Sequence, residues 1–144
     1  FEETLYRGTL YYGLSRHLSP FWAMIVSSAV FGLFHMQNIV VGQALDATAF
    51  QSVNAFALGV LFCAIMLQTN SILWAIALHA VWDMFLFVST YIAQSQPELV
   101  GMSATELENQ PTDITATAFL MPTVFLALGF LIFARWLQRT RVMA

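Results

Sequence analysis

The sequence predicts an all-α protein, a polytopic transmembrane helical bundle of about four to five helices. Two observations carry this. Of the 144 residues 59% are hydrophobic and only 9% charged, and the mean hydropathy is +0.72, outside the range of a soluble core. Long apolar stretches also recur between short polar turns, each suited to cross a hydrocarbon layer about 30 Å thick. The chain opens on Phe1 followed at once by Glu2, Glu3 and Arg7, with nothing like a signal peptide, so it reads as a C-terminal fragment whose upstream helices are missing.

Residues 1–18 read as the end of one helix, with Leu5, Leu10, Tyr11, Tyr12 and Leu14 apolar and Arg16-His17 as a basic last turn. Ser19 is a good N-cap and Pro20 a favoured first helical residue, so a second helix is predicted from Pro20 to about Met36. Its Ser27, Ser28, Ala29 and Gly32 are small enough to let membrane helices approach closely. Residues 37–43 form a short connection. A span then runs from Ala44 to Leu67, and its Asp46, Gln51 and Asn54 must face protein or headgroups. Gln68-Thr69-Asn70 makes a turn, and a further span from Ser71 to about Ala93 carries His79 and Asp83. The acidic segment 94–117, with Pro97, Gly101 and Pro111, belongs outside the bilayer, and the last span runs from Ala118 to about Leu137. The chain thus divides into a core (1–93), a polar extramembrane loop (94–117) and a C-terminal helix with a basic tail (118–144).

Other classes are excluded by composition. There is no lysine, and five scattered arginines are too few for a nucleic-acid surface. Cys63 is a lone cysteine in an apolar run and reads as packing. Trp74, Trp82, Phe85 and Phe87 read as packing and interface anchoring. Placing Arg16, Arg135, Arg139 and Arg141 on the cytoplasmic side satisfies the positive-inside rule and puts the C-terminus in the cytoplasm. Membrane lipid is then a constant partner.

Ionisable residues inside such a chain read as functional by default. Glu3 and Arg7 are four apart and can neutralise each other, which leaves Glu2 free to face something else. At about 1.5 Å rise per residue, Glu2 lies roughly 24 Å from the end of its helix, His35 roughly 22 Å from Pro20, and His79 and Asp83 roughly 13 and 20 Å from Asn70. All four fall in one layer, expected to share a cavity open to the cytoplasm. A carboxylate there suits a general base for water, and a neutral imidazole can orient that water. A second His with a polar residue one turn on can stabilise an oxyanion, and the sum is amide hydrolysis by activated water. Duller readings stand beside this: His35 as a helix-end residue, and His79 with Asp83 as a self-satisfied polar pair.

These residues carry a resemblance. Glu2-Glu3-Thr4-Leu5-Tyr6-Arg7 resembles the Glu-Glu-x-x-x-Arg motif of the CPBP intramembrane proteases, and Phe31-Gly32-Leu33-Phe34-His35 their Phe-x-x-x-His motif. His79-Ala80-Val81-Trp82-Asp83 resembles their His-x-x-x-Asn, with Asp in place of Asn. Ser27, Ser28 and Gly59 also look like the family pattern. The family includes type II CAAX prenyl endopeptidases and bacteriocin-processing or immunity (lysostaphin-resistance-like) proteins. The resemblance implies an integral protein of a bacterial or archaeal plasma membrane that cuts a prenylated protein or small peptide; the alternative is a non-catalytic immunity or scaffold protein of the same fold. It further implies Glu2 as catalytic base, Glu3 and Arg7 as its support, Phe31 as structural, His35 as water-positioning, and His79 with Asp83 as oxyanion-stabilising. An ionised Asp83 has no donor for that task. Were zinc used, Glu2, Glu3, His35 and His79 would be its ligand set. The metal-free version is favoured, because no His-Glu-x-x-His places two ligands and a base on one helix.

Overall fold

The computed structural model describes residues 1–95 and 116–142, and these are helical apart from short turns, with no strand among them. Helix α1 covers residues 2–14, most of it a π-helical stretch, Thr4–Tyr11. Helix α2 is Pro20–Phe34, continued by a 3-10 turn at His35–Ile39. Helices α3 (Leu45–Thr69), α4 (Ile72–Ser95) and α5 (Ala116–Val142) complete the chain. By length and composition α3, α4 and α5 can each cross a membrane. The predicted loop 94–117 falls almost wholly outside the described residues; its first and last two positions are helical.

Local sequence sets the boundaries. Ser19 accepts from the Trp22 N–H at 3.5 Å and Pro20 opens α2, as the cap pattern predicts. Helix α2 stops two residues short of the predicted Met36, because the chain tightens at His35 into i→i+3 bonding. Asn70 closes α3 in the left-handed conformation at φ 52°, a cap that asparagine tolerates better than most residues. Asp46 sits in the first turn of α3, where its Oδ1 accepts from the Ala47 N–H at 2.8 Å and its charge suits the positive helix end.

Helix α3 is the axis of the bundle. Ala57, Val60, Cys63, Ala64 and Met66 are buried on it, so Cys63 is a packing residue. Helix α2 covers one side with Ala23, Met24, Ser27, Ser28, Phe31 and Gly32. Helix α5 covers another, where Gly129 brings its backbone against Val60 and Leu61. Helix α4 stays peripheral: among its described residues Ala75 is the only buried hydrophobic one, and Trp74, Phe85 and Phe87 are exposed. Trp82 turns inward instead, edge-on to Phe125 at 5.4 Å.

Two glycines set how closely α2 and α3 approach. A Cβ at Gly32 would sit 2.7 Å from the Ser52 carbonyl oxygen, and one at Gly59 would sit 2.9 Å from Ser28 Cβ and 3.1 Å from Arg7 Nη2. Gly59 therefore makes the room in which the Arg7 guanidinium lies. Gly59→Ala is expected to cost about 1–3 kcal/mol through overpacking. The check is the thermal midpoint in detergent, and an unchanged midpoint would show that the guanidinium can retreat.

Candidate active site

The π-helical stretch explains how α1 presents its charges. An α-helix buries positions spaced i, i+3, i+4 and i+7. Here Glu3, Tyr6, Arg7 and Tyr11 are buried, while Leu10 is only half-buried, so the stripe closes at i+8 rather than i+7. Wider turns let two side chains per turn, Glu2/Glu3 and then Tyr6/Arg7, face the same neighbours. π-Turns occur mostly as local insertions, frequently at functional sites.

Arg7 is 1% exposed and Glu3 3% exposed, and Arg7 Nη1 donates to Glu3 Oε1 at 3.0 Å. The guanidinium also lies over the Phe31 ring, 4.3 Å from its centroid, and 5.8 Å from that of Phe62. Aromatic faces thus take part of the charge that water would otherwise solvate. The same Glu3 oxygen accepts a second hydrogen bond, from His79 Nδ1 at 2.8 Å. This fixes the ring, so that Nε2 faces Glu2 Oε2 at 3.7 Å and Asp83 Oδ1 at 3.6 Å. Phe62 packs against the imidazole with ring centroids 5.5 Å apart. His79 is therefore held between one buried carboxylate and two wetter ones: Glu2 is 39% and Asp83 67% exposed.

His35 and His79 both pack against Phe31. The His35 ring is 5.0 Å from the Phe31 centroid, and His79 is 5.8 Å from that centroid. The His35 Nδ1 donates to the Phe31 carbonyl at 2.9 Å, which leaves Nε2 as an acceptor. Both imidazoles and Asp83 line a cavity of 610 Å³, a size typical of ligand pockets. Glu2 and Glu3 line a smaller one of 280 Å³ that shares His79 and Asp83 with the first. The structure thus gathers Glu2, Glu3, Arg7, His79 and Asp83 into one cluster, with His35 lining the larger cavity beside Phe31, His79 and Asp83.

The larger cavity reaches from His79 toward Asn38 and Gln43, at the opposite end of α2 from Arg16. Arg16 precedes α2 and Asn38 follows it, so the two ends lie about 22 Å or more apart along the helix. Depth along the helices was legible, whereas the direction of opening depends on which neighbours leave space.

Among the described residues no group of three or more His, Cys, Asp or Glu side chains is placed to hold an ion. Glu3 Oε1, the nearest carboxylate oxygen to His79, already accepts from a guanidinium, and a cation there would meet Arg7 at contact distance. His35 has its Nδ1 committed to a backbone carbonyl.

Sequence reasoning paired Glu3 with Arg7 and His79 with Asp83, and missed that Glu3 bridges Arg7 and His79. The signal was present: a buried arginine next to one carboxylate leaves that carboxylate a second lone pair to fill. Phe62 was also missed, since a phenylalanine in an apolar span carries no mark of its neighbours.

A helical membrane bundle with a buried Glu, His and Arg cluster at one level defines the class as an integral membrane protein with a polar centre. Residues 1–85 match the family described as type II CAAX prenyl endopeptidase Rce1-like, and the chain belongs to that family, a family of proteases. No curated protein and no solved structure matches the chain.

Proposed function

We propose that this chain is an intramembrane endopeptidase in which Glu2 activates water to hydrolyse a peptide bond in a prenylated CAAX-type protein or a small peptide. The observation that supports it best is His79, whose Nδ1 is anchored on buried Glu3 and whose Nε2 faces Glu2 and Asp83 across the cavity wall. In this reading Glu2 takes one proton from water as the oxygen attacks the substrate carbonyl carbon. The carbonyl oxygen gains the electron pair and is met by the Nε2–H that His79 presents when both ring nitrogens are protonated. Collapse of the tetrahedral intermediate breaks the C–N bond, and Glu2 returns its proton to the leaving amine. His35, with Nε2 as acceptor, holds the second hydrogen of the water. Every proton and electron pair in this sequence is accounted for by these residues and water.

Asp83 acts through His79, and its high exposure places it at the wet edge of the site. Asp83→Asn is therefore expected to retain cleavage within about threefold, whereas Asp83→Leu loses more, because a polar group beside Nε2 is replaced by an apolar one. Parallel kcat measurements check this, and an inactive Asn variant would give the carboxylate a direct role.

The test of the reading as a whole is incubation of the purified protein with an S-farnesylated peptide and its unprenylated twin, with the cut located by mass spectrometry. Cleavage of the prenylated peptide alone supports the CAAX substrate, and cleavage of both supports a general small-peptide substrate. Binding without cleavage of either would favour the non-catalytic scaffold.

A further inference from the structure

The large cavity carries a second set of polar groups that the chemistry above leaves unused. Asn38, in the 3-10 turn, donates from Nδ2 to Gln51 Oε1 on α3 at 2.9 Å, and both side chains line the cavity wall. Asn54, one turn further along α3, donates to the Phe50 carbonyl at 3.0 Å and lines the same wall. The paired amides use one N–H and one C=O on each other. Whichever way the two are assigned, one amide carbonyl stays wholly free and both nitrogens keep at least one N–H, so the pair retains both donor and acceptor capacity at the cavity wall. That is the complement of a single peptide unit, which offers one C=O and one N–H. Beyond Asn54, the same cavity is lined largely by the apolar Ala55, Leu58, Phe62, Trp82 and Leu86.

We infer that Asn38 and Gln51 form a main-chain clamp that holds an extended peptide segment by its backbone and so positions the bond to be cut; this rests on the endopeptidase reading above. The register can be stated. Phe62 packs against His79 with the rings tilted at 35°, and along α3 Gln51 lies eleven residues and Asn54 eight residues before it. At about 1.5 Å per residue these are roughly 16 and 12 Å from the His79 level. An extended peptide advances about 3.3 Å per residue, so the clamp grips about four to five residues from the scissile bond. Recognition through backbone atoms is indifferent to side chains there, while the apolar lining selects apolar residues near the cut. Asn38 and Gln51 are positioning residues, remote from the reacting atoms.

The test uses the full chain in detergent and a fluorogenic S-farnesylated peptide whose main-chain amides are replaced by esters one at a time. Each ester removes an N–H and weakens the carbonyl acceptor. For the parent, an ester four or five residues from the cut is expected to raise KM about 5- to 10-fold, the effect of one lost hydrogen bond, with kcat within twofold. Gln51→Leu should begin with that higher KM and show no further rise with the same ester. Asn38→Val reports on the pair from the other element and separates loss of the clamp from a folding defect in α3. A Gln51→Leu protein with the parent's KM and an unchanged ester profile overturns the clamp while leaving the peptidase reading intact. If the parent cleaves nothing, the peptidase reading fails, and fluorescence anisotropy of the labelled peptide decides the clamp. Weaker binding to Gln51→Leu and Asn38→Val would then support it, and equal binding or none would overturn it.

Discussion

Glu2→Gln is expected to lower kcat for peptide cleavage by roughly 10²- to 10⁴-fold, the usual contribution of a positioned general base, while KM stays close to that of the parent. The substitution keeps the size of the side chain and its place on α1, so folding should be unaffected. It removes the lone pair that takes the proton from water, and His79 Nε2 loses one of the two carboxylates facing it. Glu2 is the right residue to test because Glu3 is already engaged: its Oε1 accepts from both Arg7 and His79 in a buried setting. Matched kinetics of parent and variant on one farnesylated peptide check this. Equal activity would remove Glu2 from the mechanism, and a large rise in KM with unchanged kcat would make it a binding group.

Arg7→Ala should act on folding before it acts on chemistry. Removing one partner of a buried pair leaves an uncompensated charge and costs about 3–5 kcal/mol, a large share of a stability of about 5–15 kcal/mol. Here the loss also strips the cation from the Phe31 face and opens space beside Gly59. Arg7→Lys should rescue little, since an ammonium cannot both lie flat on Phe31 and reach Glu3 in the same way. The double variant Arg7→Met with Glu3→Gln should be more stable than Arg7→Ala alone, because it removes both charges. Thermal midpoints and detergent-soluble yields of the three proteins check this. A well-folded Arg7→Ala protein with the parent's midpoint would overturn the structural role.

Much of the fold was written in local patterns. Ser19-Pro20 announced a helix start, Asn70 a stop, and the apolar runs were long enough that no other secondary structure could satisfy their backbones in lipid. The candidate site was legible to the extent that charge is rare in such a chain: Glu2, Glu3, Arg7, His79 and Asp83 could be singled out because each is costly there. What could not be read was partner choice. Glu3 meets His79 across 76 positions of chain, and nothing in the spacing distinguishes that contact from one between Glu2 and His79. The lining of the cavity was likewise hidden, because it depends on Phe50, Trp82 and Met121 failing to fill a gap between helices, and packing gaps leave no pattern in a sequence.

The π-helical stretch between Thr4 and Tyr11 makes the length of α1 as much a determinant of the site as its side chains. A turn closed by i→i+5 bonding holds one residue more than an α-turn, so the helix carries a surplus residue exactly where Glu2 and Glu3 must be aimed. Losing a single residue within it would let the helix wind back to ordinary turns and swing everything before the gap by about 100° around the axis. Glu2 and Glu3 would then point away from His79 with their identities intact. In this protein a change that spares every side chain of the candidate site can still take the site apart, as a key cut correctly but turned in the lock.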